Sequence, residues 1–279
     1  MRGEPGTSGR SAADRSGVAG GRRARRLALG ALVGAVLLSG CASTGGGATA
    51  VTVTDPSRLT RSGFLSDYSR LAKTAWGGGI ECWRDGGLQA AKYDKVLISR
   101  ILVSLKAKAG EEPMVDPSDL KMLTDYFHGA LVNALKPQMA VVTEPRPGTL
   151  VIRIALTSLV PTQVSRSVTG TLIPYAFVAE AGSGPATGRP AGSTPYLGET
   201  GMEMQFVDAA SRAVLGECRD TEIGRKYAAE MDSGTAGAAQ TWASGYVNSF
   251  QAWSYAKNAF DKWSLLVAQR LAELRRPAP

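Results

Sequence analysis

The chain has 279 residues, 44% of them hydrophobic, 20% charged and 7% aromatic. Its 32 basic and 24 acidic residues give a formal net charge of +8. Seven of those arginines and two of those acids lie in the first 40 residues, which leaves 25 basic and 22 acidic residues, net +3, interleaved along the remainder; a nucleic-acid partner, which needs a basic face on the domain itself, is therefore not expected.

Residues 1–40 have the pattern of an export signal. Arg22, Arg23, Arg25 and Arg26 precede an apolar run, "LALGALVGAVLL", from Leu27 to Leu38. That run is too short for a bilayer span, which needs roughly 20 residues, but it suits a secretory signal followed by small residues. Leu38-Ser39-Gly40-Cys41 resembles the bacterial lipobox, an aliphatic residue, two small residues and a cysteine. The resemblance implies a lipidated Cys41 at the new N-terminus, palmitate among its acyl groups, and the lipid bilayer as a partner. More than one acyl chain is needed for a stable anchor. Ala42 follows where an aspartate would favour the inner membrane, so the expected address is the outer membrane, facing the periplasm. Residues 41–56, rich in Gly, Ala and Thr, form a flexible tether, with a reach of roughly 20 Å. A single globular domain is expected over 57–279.

Two cysteines remain, Cys82 and Cys218. In an oxidising compartment they form one disulfide or stay as two separate thiols, and spacing alone does not choose.

Along the domain, 61–73 places Phe64, Leu65, Tyr68 and Leu71 at helical spacing. The glycines of 76–87, "WGGGIECWRDGG", predict a loop. Residues 93–107 are aliphatic and β-branched and predict one long strand. Asp116 and Pro117 open a helix whose apolar stripe is Leu120, Leu123, Phe127, Leu131 and Leu135, with Pro137 beyond it. Residues 149–161 predict a second strand. Residues 181–195 form a Gly/Pro-rich loop. In 198–207 Thr200, Met202, Met204 and Phe206 alternate with Glu199, Glu203 and Gln205, a half-buried strand whose polar face is expected to be solvated. "RAVLGECRD" returns as its hairpin partner. Residues 251–276 form a long helix with Trp253, Ala256, Phe260, Trp263, Val267, Leu271 and Leu274 on one face. This order predicts an α+β fold: a single mixed or mostly antiparallel sheet with two amphipathic helices on one face.

Chemistry-bearing patterns are few. His128 is the lone histidine, expected to flank the stripe of its helix partly buried, which leaves a Ser-His-Asp triad without support. Metal-ligand spacing is absent, as are phosphate-binding glycine motifs; no metal, cofactor or catalytic residue is expected. Glu199 and Glu203 lie about 13 Å apart along one strand, too far for a glycosidase pair at about 5–9.5 Å. Trp76, Trp83 and Trp242, in irregular segments, are the candidates for a recognition surface, whereas Trp253 and Trp263 belong to the core.

The lipobox, "SGFLSDYSRL" (62–71), "YDKVLI" (93–98), "TGTLIP" (169–174), "GETGMEMQFVDAAS" with "VLGECRD" (198–220) and "AFDKWSLLVAQRL" (259–271) together resemble an uncharacterised Gram-negative lipoprotein family, domain-of-unknown-function family 3313. That family typically carries Asp-x-x-Thr-Gly at the hairpin turn, where this chain has Asp208-Ala209-Ala210-Ser211-Arg212. The resemblance implies a periplasm-facing lipoprotein and brings no activity or catalytic residue with it. The expected function is a non-enzymatic envelope lipoprotein that scaffolds or binds an envelope protein. The alternatives are an envelope hydrolase or carbohydrate-binding protein, and a carrier of a small apolar ligand.

Overall fold

The computed structural model describes residues 52–105, 115–166, 183–190, 192–226, 247–248 and 251–276. The expected export signal, Cys41, the expected tether as far as residue 51, segment 169–174 and Trp242 lie outside them; residues 52–54, expected in that tether, instead pair into the sheet. The strands are β1 (Thr52–Thr54), β2 (Ala72–Lys73), β3 (Glu81–Arg84), β4 (Lys95–Ile98), β5 (Leu102–Val103), β6 (Ala140–Val141), β7 (Thr149–Val160), β8 (Glu199–Asp208) and β9 (Val214–Gly224). The two long helices are α1 (Pro117–Leu135) and α2 (Ser254–Arg275). All nine strands join one sheet, in the order β2-β3-β9-β8-β7-β4-β6, with β1 paired to β9 and β5 to β7. The β4 contacts with β6 and β7 and the β5 contact with β7 are parallel, and every other pairing is antiparallel. The fold is thus α+β, built on a single mixed sheet. All described residues belong to one compact unit, Gly45–Pro279.

Local chemistry explains the long elements. Asp116 caps α1 by accepting from Ser118 N at 2.7 Å, and Pro117 occupies the first turn, where no N–H is needed. Leu123, Phe127, Leu131 and Leu135 recur at helical spacing and are all fully buried. They meet Ala256, Phe260 and Trp263 of α2, and the Phe127 and Phe260 rings stack with centroids 4.5 Å apart. The two helices cover one face of the sheet. Beneath them lie Ile152 and Ile154 of β7 and Met202 and Met204 of β8, each at most 1% exposed.

Three segments depart from the sequence pattern. The run 93–107 makes two short strands rather than one long one. Both pair with β7, but Ile98 faces Ile152 and Leu102 faces Ala155, so one extra residue bulges between them. The glycine-rich stretch 76–87 contains β3. Gly78 and Gly79 adopt φ of +64° and +121°, and that left-handed turn folds β3 back antiparallel onto β2. Residues 61–73 are not a helix. They run as an extended strap with one 3-10 turn, Tyr68–Arg70, across the face of the sheet opposite the helices. A helix would consume the Ser66 N–H group, which here donates to the Glu217 carboxylate of β9.

Candidate functional site

Alternation along β8 and β9 sorts their side chains onto two faces, and each face holds a distinct arrangement. On the strap face stand Glu199, Glu203, Gln205 and Glu217. Glu203 is fully buried and accepts from Ser62 N at 2.9 Å, Ser62 Oγ at 2.6 Å and Tyr68 Oη at 2.7 Å. Glu217, also fully buried, accepts from Ser66 N at 2.6 Å, Gln205 Nε2 at 2.7 Å and Arg70 Nη2 at 3.0 Å. Burial alone pushes the Glu217 carboxyl up, but the bonds from Ser66, Gln205 and Arg70 together hold it below the ordinary carboxylate value. Glu199 pairs with Arg58 at 3.0 Å and accepts from Ser158 Oγ. The expectation of a solvated polar face is therefore corrected. The serines, tyrosine and arginine of 62–70 supply donors at the spacing of alternate strand residues, so the strap replaces water over these acids.

On the helix face, β9 presents Cys218, Asp220 and Glu222 in succession. Cys218 is disulfide-bonded to Cys82, the residue opposite it on β3. Asp220 is fully buried and accepts from Trp263 Nε1 at 2.8 Å. Glu222 is ion-paired with Lys262 and accepts from Thr54 Oγ1 at 3.0 Å. Burial pushes the Asp220 carboxyl up to about 8, and the neighbouring Glu222 charge adds to it, while the Trp263 bond and Lys262 oppose the shift.

Next to this cluster, between the sheet and the second half of α2, lies a cavity of about 200 Å³. Met202 and Met204 of β8 and Leu150 of β7 form its floor. The Cys82–Cys218 bridge forms one wall, and Val267 and Leu271 of α2 form the roof. Trp263 separates it from the acids: the ring lines the cavity while its Nε1 bonds Asp220. Neither Asp220 nor Glu222 lines the cavity itself. Arg84, Arg270 and Arg275 supply its charged lining, and among the described residues no aspartate or glutamate lines it.

Trp76 stands at this cavity, 36% exposed, with the Arg270 guanidinium 5.6 Å from its ring centroid. Trp83 also borders it, but the Trp83 ring stacks on Arg70 of the strap at 3.6 Å, so the two rings do not make one surface. Trp253 is buried and donates to Asp119 Oδ2 at 2.8 Å. His128 is exposed rather than partly buried, because it falls one position past Phe127 and off the buried stripe. Among the described residues no cluster of three or more His, Cys, Asp or Glu could hold a metal, and no helix is long and apolar enough to cross a membrane. Of the pocket lining, Trp76 and Trp83 are recognition candidates in the sequence and Cys82 and Cys218 a candidate pair, but the pocket itself and the Asp220–Glu222–Lys262 cluster are not apparent there. The one signal for the cluster was two acids at alternate positions on a strand whose neighbouring position, Cys218, belongs to an apolar face.

The family described as "Protein of unknown function (DUF3313)" matches residues 60–266. No curated protein matches the chain. Two solved structures of a PelC dodecamer from Paraburkholderia phytofirmans, one of them a point variant, are similar at 13% identity. They cover 62% of this chain and 98% of their own, with TM-scores of 0.29 and 0.31. Likeness at that level bears on neither the site nor its use.

Proposed function

The chain belongs to the DUF3313 family of proteins of unknown function, and from that premise we propose that it is a non-enzymatic binding domain of the cell envelope. Acylated Cys41 holds it on the membrane, at the periplasmic face of the outer membrane, and the pocket beneath α2 takes an apolar group. The anchor rests on the arginine cluster, the short apolar run and Leu38-Ser39-Gly40-Cys41. Binding rests on one observation: the cavity beside the disulfide is walled by Met, Leu, Val and Trp side chains. Concave apolar sites with a few polar groups at the edge are the usual form of a ligand site. A hydrolase draws less support, since Glu203 and Glu217 are engaged by the strap and Asp220 and Glu222 lie outside the cavity lining.

Two measurements test this. An alkyne-tagged palmitate fed to the producing cells should label the chain, and Cys41→Ala should lose the label and leave the membrane fraction; a variant that stays membrane-bound removes the anchor. Organic extraction of the full chain, purified from its envelope, should yield an apolar molecule near one per chain. Leu215→Trp, which fills the pocket, should yield none. Equal recovery from both chains removes the pocket from the account.

A further inference from the structure

Resting on the pocket as a ligand site, we infer that its ligand is an alkyl carboxylate, a single-chain fatty acid. Size comes first. A cavity of about 200 Å³ lies below the roughly 300–1,000 Å³ of sites for drug-sized ligands, so it admits one chain and not a two-chain lipid. Charge comes second. Among the described residues three arginines and no acid line the cavity, so an anionic head on the ligand is complemented and a cationic one is repelled.

Hydrogen bonding carries the argument furthest. Arg275 donates through Nη1 to the Gln138 carbonyl at 2.7 Å. Its Nε is buried and has no acceptor among the described residues. The Nε–Nη2 edge of that guanidinium is thus a fork of two donors beside an apolar cavity. That fork matches the two oxygens of a carboxylate. Arg84, exposed on β3, has no ion-pair partner among the described residues and supplies a second charge for the head. Arg270 contributes less, because it is already paired with Glu273 at 2.7 Å. Asp94 acts on Arg275 from outside the pocket and is itself engaged by Lys95. A sterol, a neutral alkane or an apolar peptide would leave the Arg275 edge without an acceptor.

The test uses the full chain in phosphatidylcholine nanodiscs, with empty nanodiscs subtracted, and follows the fluorescence of the pocket tryptophans at pH 7.5. The probes are decanoate, decanol and decyltrimethylammonium. Decanoate should bind at least ten-fold more tightly than either of the others. Arg84→Ala/Arg275→Ala should abolish that preference while changing decanol binding less than two-fold. Arg275→Lys, which keeps the charge and loses the fork, should retain only part of it. Leu215→Trp should remove binding of all three. Equal affinity for the three probes overturns the head-group assignment and leaves the apolar pocket standing. Decanoate binding that Leu215→Trp does not change overturns the inference by placing the ligand elsewhere. No binding of any probe overturns both the inference and the pocket reading on which it rests.

Discussion

Trp263 donates its indole N–H to Asp220 across 2.8 Å, joining the middle of α2 to β9 at the inner end of the pocket. Burial of Asp220 at this contact, which the Trp263 bond only partly opposes, sets a pH dependence of unusual sign. The Asp220 carboxyl is raised from 3.8 to about 8 in the folded chain. Between those values the folded chain holds a proton that the unfolded chain has released. Stability is then full below the unfolded value and falls as pH rises towards 8, by about 1 kcal/mol per pH unit. Denaturant melts from pH 4.5 to 8 should show the decline. Asp220→Asn, which is neutral throughout, should flatten it. A slope that Asp220→Asn leaves unchanged would show that Asp220 holds no extra proton in the folded chain.

The strap makes the opposite prediction at lower pH. Glu217 is held below its ordinary 4.5, so its contribution is present above that value and is lost as pH falls through the lower folded one. Glu203 reports on the same contact by mutation. Tyr68→Phe removes one of the donors on a buried carboxylate and should destabilise by about 1.5–3 kcal/mol. If Tyr68→Phe melts like the wild type, the strap is not what solvates Glu203.

The Cys82–Cys218 bridge spans a sequence separation of 136. Closing a long loop gives a disulfide its largest effect on the unfolded chain, and removal should lower stability by about 2–5 kcal/mol. Cys82→Ser/Cys218→Ser should melt like the reduced wild type, and added reductant should leave the double variant unchanged. A wild type insensitive to reductant would contradict this.

Arg212 sits at φ 61° in the β8–β9 turn, where Asp208 Oδ1 accepts from Ala210 N and Ser211 N. Left-handed backbone costs a non-glycine residue about 1–2 kcal/mol, offset by glycine's larger chain entropy when unfolded. Arg212→Gly should therefore stabilise by about 0.5–1 kcal/mol. Lower stability in thermal melts would mean that the arginine side chain makes a contribution of its own.

Legibility in the sequence followed the range of the interactions. Asp116, Pro117 and the Leu123–Leu135 stripe specify α1 through contacts within a few residues. The alternation in 199–206 specifies β8 in the same way. The strap resisted this reading because Ser62 and Tyr68 are fixed by Glu203, more than 130 residues away. Its Phe64, Leu65, Tyr68 and Leu71 imitate a helical stripe while its N–H groups bond elsewhere. Glu203 and Glu217 looked solvated because a sheet face shows its pattern and not its cover. The pocket was hidden for a related reason: it is enclosed by β3, β8 and α2, which meet only in three dimensions.

The placement of β9 also bears on the order in which the chain assembles. β7, β8 and β9 are neighbours in sequence as well as in the sheet, and β8 and β9 form a hairpin. β1 has no such nearby partner, and β3 has only the two-residue β2; both hydrogen-bond to β9, so residues 52–54 and 81–84 wait for 214–224 to join the sheet. A chain that emerges N-terminus first keeps one side of its sheet open until four-fifths of its length is available. Contacts of such separation slow folding because loop entropy must be lost before they form. The β7–β9 meander is thus the expected nucleus, and the strap and pocket wall are the last parts to close.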